Sequence, residues 1–436
     1  MLPGILIFTL PYSDTAMIAL HQRANDYARF LPAINRNSAE FAVKPASALK
    51  RPLPANLSPR QLDFLDPGGL FYYPWALYTA AEGVSGKAPT TVGQRNRKTS
   101  SVIGDSGGFS LISGAVKTPM SAFRALSLGW IERDCDIGLP VDVPPRAIDK
   151  QPGVWDFAKC LATTLDNTDW AIANKKAGTR LLAVYQGRNR SEADRWTASM
   201  KTRLLYGVAL GGHMRLDFWY WPRSIKRLID EGDFAHIRHI HVLGTTEPGV
   251  AVLLTALKRA LRTYLKRDDL EVTFDSSRAY RITQAYGQIS MGLRLGMHGS
   301  RGADDAFDFR SCTLPRDGGQ VDRQAQFPFD SPLGRLCTMG DFMPGASPAD
   351  PAFDSIGLNL LSHHETYMEL AAIEQANLLC DMRQQLGSLV PWHIESSIEA
   401  IHNLFASGNE VAFTKRKASL QYYNRGILDS GLDDFR

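Results

Sequence analysis

Six short apolar runs, each closing on a polar residue or glycine and each followed by a stretch of helical character, constrain this chain more than any other feature. They are residues 101–104 into Asp105, 137–141 into Asp142, 181–185 into Gln186, 206–210 into Gly211-Gly212, 239–243 into Gly244, and 271–274 into Asp275. Their ends fall 25 to 44 residues apart, about the length of one strand-and-helix unit. Between them the sequence reads as helix. Residues 249–266 carry Val252, Leu253, Ala256, Leu257, Ala260, Leu261 and Tyr264 on one face, with Lys258, Arg259, Arg262 and Lys266 on and beyond the other. Apolar strands alternating with helices over this length give an α/β protein, either a doubly wound sheet or a TIM-type (β/α)8 barrel. The barrel is preferred, because it gathers strand ends at one mouth, and here those ends are Asp, Asp, Gln, Gly-Gly, Gly and Asp.

The expected division is a barrel over 1–300, followed by an insertion and a helical C-terminal region over 301–436. Residues 35–60 are rich in Pro, Ala, Lys and Arg, and 299–352 in Gly, Asp, Pro and Arg, which reads as loops. Helical character returns at 358–383 and 396–405, and Lys415-Arg416-Lys417 forms a small basic cluster. With 44% hydrophobic and 22% charged residues over 436 positions, the chain is neither disordered nor a disulfide-stapled mini-protein. A net charge of +4 means that a polyanion must be met by a local patch. Cys135, Cys160, Cys312, Cys337 and Cys380 are scattered with no C-x-x-C, pointing to a reducing, cytoplasmic compartment. The apolar run 4–10 is short and cut by Pro11, so it reads as a buried strand, and no stretch is long enough for a membrane span.

The strand ends carry the chemistry. Asp105-Ser106-Gly107-Gly108-Phe109 offers a carboxylate, a hydroxyl, backbone amides and a flat apolar face in one turn, and it reads equally as an Asx-turn with permissive glycines. Asp275, at the end of an apolar strand, is either paired with Arg278 or Arg281 or working as a nucleophile or base. Asp142 caps a loop or accepts from an amidine-like edge, and Gln186-Gly187 presents donor and acceptor beside a small residue. Gly211-Gly212 is a turn or a place where backbone meets ligand, and His213 belongs to a loop or to the pocket. Two carboxylates and an amide around one mouth suit a nitrogen-rich heterocycle, though a sugar or a metal fits nearly as well.

Taken in order, these segments resemble the tRNA-guanine transglycosylases. The matching positions are Asp105 to Phe109, Asp142 before Pro144, Gln186-Gly187, Gly211-Gly212, Leu243-Gly244 before Pro248, and Phe274-Asp275. The resemblance implies a barrel in which Asp275 attacks the anomeric carbon of a target nucleotide and Asp105 is the general acid/base. It further implies that Ser106, Asp142, Gln186, Gly211, Gly212 and Gly244 surround a guanine-like base while Phe109 and Leu243 sandwich it. Such an enzyme is a pentosyltransferase that needs no cofactor for its chemistry.

Departures from the family set the substrate expectation. Ser110 and His213 replace family residues, and Ser276 to Arg281 replaces the segment with which the tRNA enzymes read their anticodon loop. The family's zinc cluster is incomplete: Cys312, Cys337, His364 and Cys380 are the candidate ligands, and the paired C-x-C is missing. Trp75 to Tyr78 and Phe274 to Ser277 are similar to the DpdA-like DNA 7-deazaguanine transglycosylases of bacterial and phage gene clusters, which act in DNA modification and anti-restriction. The expectation is therefore replacement of guanine in DNA by a 7-deazaguanine such as 7-cyano-7-deazaguanine; whether partner proteins open the duplex is left open by the sequence. The alternatives are a tRNA transglycosylase with an unusual reader, or a silent nucleic-acid-binding barrel, which predicts a missing carboxylate. A glycoside hydrolase using Asp105 and Asp275 ranks lower. Candidate phosphate contacts are Arg95, Arg97, Lys98, Arg188, Arg190, Arg278 and Arg281, each of which, taken singly, reads more readily as solvated loop charge.

Overall fold

Among the described residues, eight parallel strands in two sheets carry the strand ends singled out above. The structure, a computed structural model, describes residues 26–86, 88–295, 307–317, 319, 321–386 and 389–424. The run at 4–10 and the boundary at 300/301 lie outside them. The strands are β1 (Arg29–Pro32), β2 (Trp75–Thr79), β3 (Ser101–Asp105), β4 (Ile137–Gly138), β5 (Leu182–Tyr185), β6 (Gly207–Leu210), β7 (His239–Val242) and β8 (Glu271–Ser276). One sheet has the order β1-β8-β7-β6-β5 and the other β2-β3-β4. Every pair in them is parallel, so within each sheet all C-terminal ends share one edge.

The two sheets meet at both margins through single bridges, Ala33 with Leu77 and Gly138 with Leu181. The bond from Ile34 N to Leu77 O, 3.0 Å, adds to the first. Strand alternation sends Phe30, Val102, Tyr185, Leu210, Val242 and Phe274 into the large core shared with the helices. The opposite face is a smaller cluster drawn from both sheets: Leu31, Leu77, Ile103, Ile137, Leu182, Val184 and Ala209. On β7 and β8 that face turns polar. Ala209 pairs in register with His241, and Leu31 with Asp275. In-register residues of parallel neighbours point the same way, so His241, Thr273 and Asp275 continue the small cluster's face.

The main helices are α1 (Met120–Asp134), α2 (Phe157–Asn174), α3 (Arg190–Met200), α4 (Trp221–Asp230), α5 (Pro248–Leu265), α6 (Ser355–Asp381) and α7 (Trp392–Ser407). Side chains cap several of them: Asp156 accepts from Lys159 N ahead of α2, Asn189 from Glu192 N ahead of α3, and Asp354 from Gly357 N ahead of α6. Trp196 Nε1 donates to Val184 O at 2.8 Å and fixes α3 on β5. Tyr367, Leu370, Ile373 and Ala376 of α6 and Ile394, Ile398 and Ile401 of α7 lie in the same core as the strands. The irregular region contains an unanticipated antiparallel pair, β9 (Gln288–Arg294) with β10 (Asp308–Thr313). A second apolar cluster around Phe327, Leu333, Cys337, Phe342 and Leu360 covers it. No helix among the described residues is long and apolar enough to cross a membrane.

The N-terminal edges of the strands are held by ion pairs. Lys258, on α5, is fully buried and bonds Glu271 Oε2 at 3.0 Å and Tyr27 O at 2.8 Å. Burial lowers its ammonium to about 8, with Glu271 opposing the shift. Arg29 and Arg262 converge on the other oxygen of Glu271. Charge at this end is committed to the fold.

Candidate active site

The C-terminal edges hold three carboxylates that sense one another. Asp105 ends β3, where Gly107, at φ 73°, turns the chain so that its N–H donates to Asp105 Oδ2 at 3.1 Å. The Thr79 hydroxyl, in register on β2, also bonds this carboxyl. Burial pushes Asp105 above the usual carboxylate range, and the charge of Asp275, from the other sheet, pushes it further; Thr79, Gly107 and His241 oppose.

Asp142 organises a second group. Ser106 Oγ donates to its Oδ1 at 3.0 Å, and Gln186 Nε2 donates to its Oδ2. All three residues are buried. Burial, then the nearby Asp105, raises the Asp142 carboxyl to about 6. Gly211 and Gly212 lie beside Gln186 because their loop packs there without side chains: a Cβ on Gly211 would sit 3.5 Å from Gln186 Cγ, and one on Gly212 3.6 Å from Oε1. The Gly211 Cβ would also meet Leu243 Cδ1 at 3.2 Å, so Leu243 adjoins the same group.

Asp275 is the third. Its Oδ1 accepts from Gly244 N at 3.0 Å and is 3.1 Å from His241 Nε2. Its backbone carbonyl accepts from Thr245 N at 2.6 Å. His241 Nδ1 is 2.8 Å from Thr273 Oγ1, which lies 2.7 Å from His239 Nε2. Every atom is satisfied if His239 donates to Thr273, Thr273 to His241 and His241 to Asp275. Arg215, buried, ties the loops together by donating to Gly212 O and Gly244 O.

The structure therefore brings together Asp105, Ser106, Asp142, Gln186, Gly211, Gly212, Leu243, Gly244 and Asp275. Phe109 stands apart in one respect, since the Arg146 guanidinium lies 4.8 Å from its ring centroid. Sequence reasoning missed Thr79, His239, His241, Thr273 and Arg215. The alternation His239-Ile240-His241-Val242 was the available signal, because it sets two imidazoles on one strand face beside the strand of Asp275.

The proposed phosphate contacts are mostly elsewhere or engaged. Arg95 and Arg97 precede β3 and pair with Asp136, which precedes β4, so they sit at the edge opposite Asp105. The Arg95 side chain is 1% exposed and also bonds the carbonyls of Val92 and Asp134, which excludes it as a surface contact. Lys98 is exposed in the same loop. Arg278 is turned into the protein toward Ser290, Glu365 and Glu369, and Arg281 ends the same short helix. Arg188 bonds Glu192, and Arg190 pairs with Asp217, both on the loop side of β5.

Among the described residues no three His, Cys, Asp or Glu side chains are grouped to hold a metal ion. His364 Nδ1 is 2.8 Å from Ser331 Oγ and its Nε2 3.2 Å from Ser290 O, so both ring nitrogens are used within the protein. Cys337 is buried in the second apolar cluster with Cys312 at its margin, while Cys380 lies in the main core. The candidate zinc ligands are thus divided between two cores. No family model matches the chain, and no curated protein matches it either.

Proposed function

We propose that this chain is a DNA base-exchange transglycosylase that replaces guanine with a 7-deazaguanine through a covalent aspartyl-nucleotide. The observation that carries the reading is the grouping of a desolvated Asp105, an oriented Asp275 and the Asp142-Ser106-Gln186 cluster, drawn from both sheets. We further read the two sheets as one (β/α)8 barrel, supported by the bridges at both margins and the apolar cluster they share.

The chemistry follows from the environments. Guanine presents N–H donors along its amidine-like edge, and an ionised Asp142 accepts them with the Gln186 amide alongside. The Asp275 oxygen not bound by Gly244 and His241 attacks C1′ as the bond to guanine N9 breaks. Asp105, whose raised pKa favours the protonated form, gives its proton to the leaving base. In the second half-reaction it takes the proton of the incoming 7-deazaguanine as that base attacks C1′ and releases Asp275. Two carboxylates in unlike environments are the usual arrangement for such a division of labour. The target nucleotide must be flipped from its stack to enter.

Incubation with labelled guanine and either duplex DNA or tRNA tests the substrate. Label in DNA is the expected result; label in tRNA alone overturns the choice of DNA, and label in neither overturns the exchange reaction.

A further inference from the structure

Trp219, in the loop between β6 and α4, draws cations from three separate segments. The guanidinium of Arg190, the first residue of α3, lies 4.0 Å from the indole centroid, and that of Arg223, on α4, lies 4.6 Å away. The ammonium of Lys417, from the short C-terminal helix Lys417–Leu420, lies at 4.9 Å. Gln421 Nε2 donates to Asp217 Oδ2 at 2.8 Å and so ties that C-terminal segment to the loop after β6.

The charge here is unbalanced. Arg190 pairs with buried Asp217 at 3.3 Å and Arg223 with Glu410 at 2.8 Å. Lys417 is exposed, and the exposed Lys415 and Arg416 precede it. An indole face attracts each cation, but like charges a few ångströms apart repel, and the excess is positive. An anion relieves that repulsion. The position is equally informative: Arg190 follows β5 and Trp219 follows β6, so the cluster borders the loops that carry Gln186 and Gly212. The overall charge of +4 offers little long-range attraction to nucleic acid, so a polyanion has to be met by a local cluster.

We propose that Arg190, Arg223 and Lys417 around Trp219 form a phosphodiester-binding surface that holds the nucleic-acid strand next to the base pocket. The location beside a base pocket rests on the base-exchange reading; the charge and its geometry do not. The surface reads backbone, so it is indifferent to sequence.

The test measures binding of the full chain to labelled DNA by fluorescence anisotropy between ~50 and ~200 mM salt. Lys417→Glu is the main variant, since an exposed lysine carries little of the fold, and Arg223→Gln is the second. Each is expected to weaken binding several-fold at low salt, equally for unrelated sequences, and to lower the log-log salt slope by about 0.9 per lost duplex contact. Unchanged affinity and slope in both variants overturn the proposal. Two outcomes separate it from the catalytic reading: Lys417-dependent binding without base exchange sinks the reading and keeps the surface, while exchange with Lys417-independent binding does the reverse.

Discussion

His241 Nε2 lies 3.1 Å from Asp275 Oδ1, the same oxygen that accepts the Gly244 amide at 3.0 Å. The imidazole is itself held through Thr273 to His239, whose burial keeps it neutral. The carboxylate is thereby fixed in one rotamer before any substrate arrives. On the base-exchange reading, His241 acts through Asp275, as a positioning residue.

Removing that support is expected to slow the chemical step. His241→Leu is expected to lower kcat by about 10- to 100-fold, the effect of a lost hydrogen bond to a charged group, with KM for the free base little changed. His241→Gln, which still reaches Asp275 with an N–H, recovers part of the loss. Steady-state kinetics on the three proteins check this; an equal loss in both variants contradicts the positioning role.

Asp142 gives the protein a signed pH dependence. Its carboxyl is raised from 3.8 to about 6, so the folded state takes up a proton between about pH 4 and 6 that the unfolded state does not. Stability contributed by this group is therefore present at the acid end and lost as pH rises through 6, by at most roughly 3 kcal/mol. Denaturant titrations from pH 4 to 8 should show that fall in the wild type and a flatter profile in Asp142→Asn. On the base-exchange reading, guanine binding is expected to run the other way and weaken below about pH 6, because a protonated Asp142 accepts fewer bonds from the base.

Gly108 is packed directly against Asp142. A Cβ there would lie 2.2 Å from the Asp142 carbonyl oxygen and 2.9 Å from its Oδ1. Backbone cannot yield as a side-chain tip does, so Gly108→Ala must displace Asp142. Guanine affinity is expected to fall at least tenfold while far-UV circular dichroism stays native. Calorimetric titration with guanine reads the outcome.

Arg278 is predicted to matter for stability rather than for nucleic-acid contact. It bridges Glu365 and Glu369, both on α6 with fully buried side chains, and burial raises both carboxyls, Glu369 to about 8. Arg278→Ala leaves them buried without their cation and is expected to cost about 3 kcal/mol at high pH, less at low pH where they are protonated. Chemical denaturation at two pH values tests this.

Much of the architecture was legible because parallel strands buried on both faces read as apolar runs. The six runs became β3 to β8, and the helix expected at 249–266 is Pro248–Leu265. The first strand was not legible: Arg29-Phe30-Leu31-Pro32 has a charge at one end and proline at the other, and Arg29 is accommodated by stacking 4.5 Å from the Trp75 ring. The strand-end residues of the candidate site could be named because parallel strands bring their C-terminal ends to one edge. The residues that orient them could not, since Arg215 reaches Gly244 and Thr79 reaches Asp105 across separate strand-and-helix units. Loop arginines were the least legible, because the carboxylates that pair with Arg95 and Arg278 lie 41 and 87 or more positions away.

Trapping the covalent intermediate tests the central claim most directly. Wild-type protein incubated with guanine-containing DNA and quenched in denaturant should yield a protein–DNA adduct that maps to Asp275, disappears in Asp275→Asn and is resolved by adding a 7-deazaguanine base before quenching. An adduct on another residue, an adduct that survives in Asp275→Asn, or one that forms with tRNA and never with DNA contradicts the account.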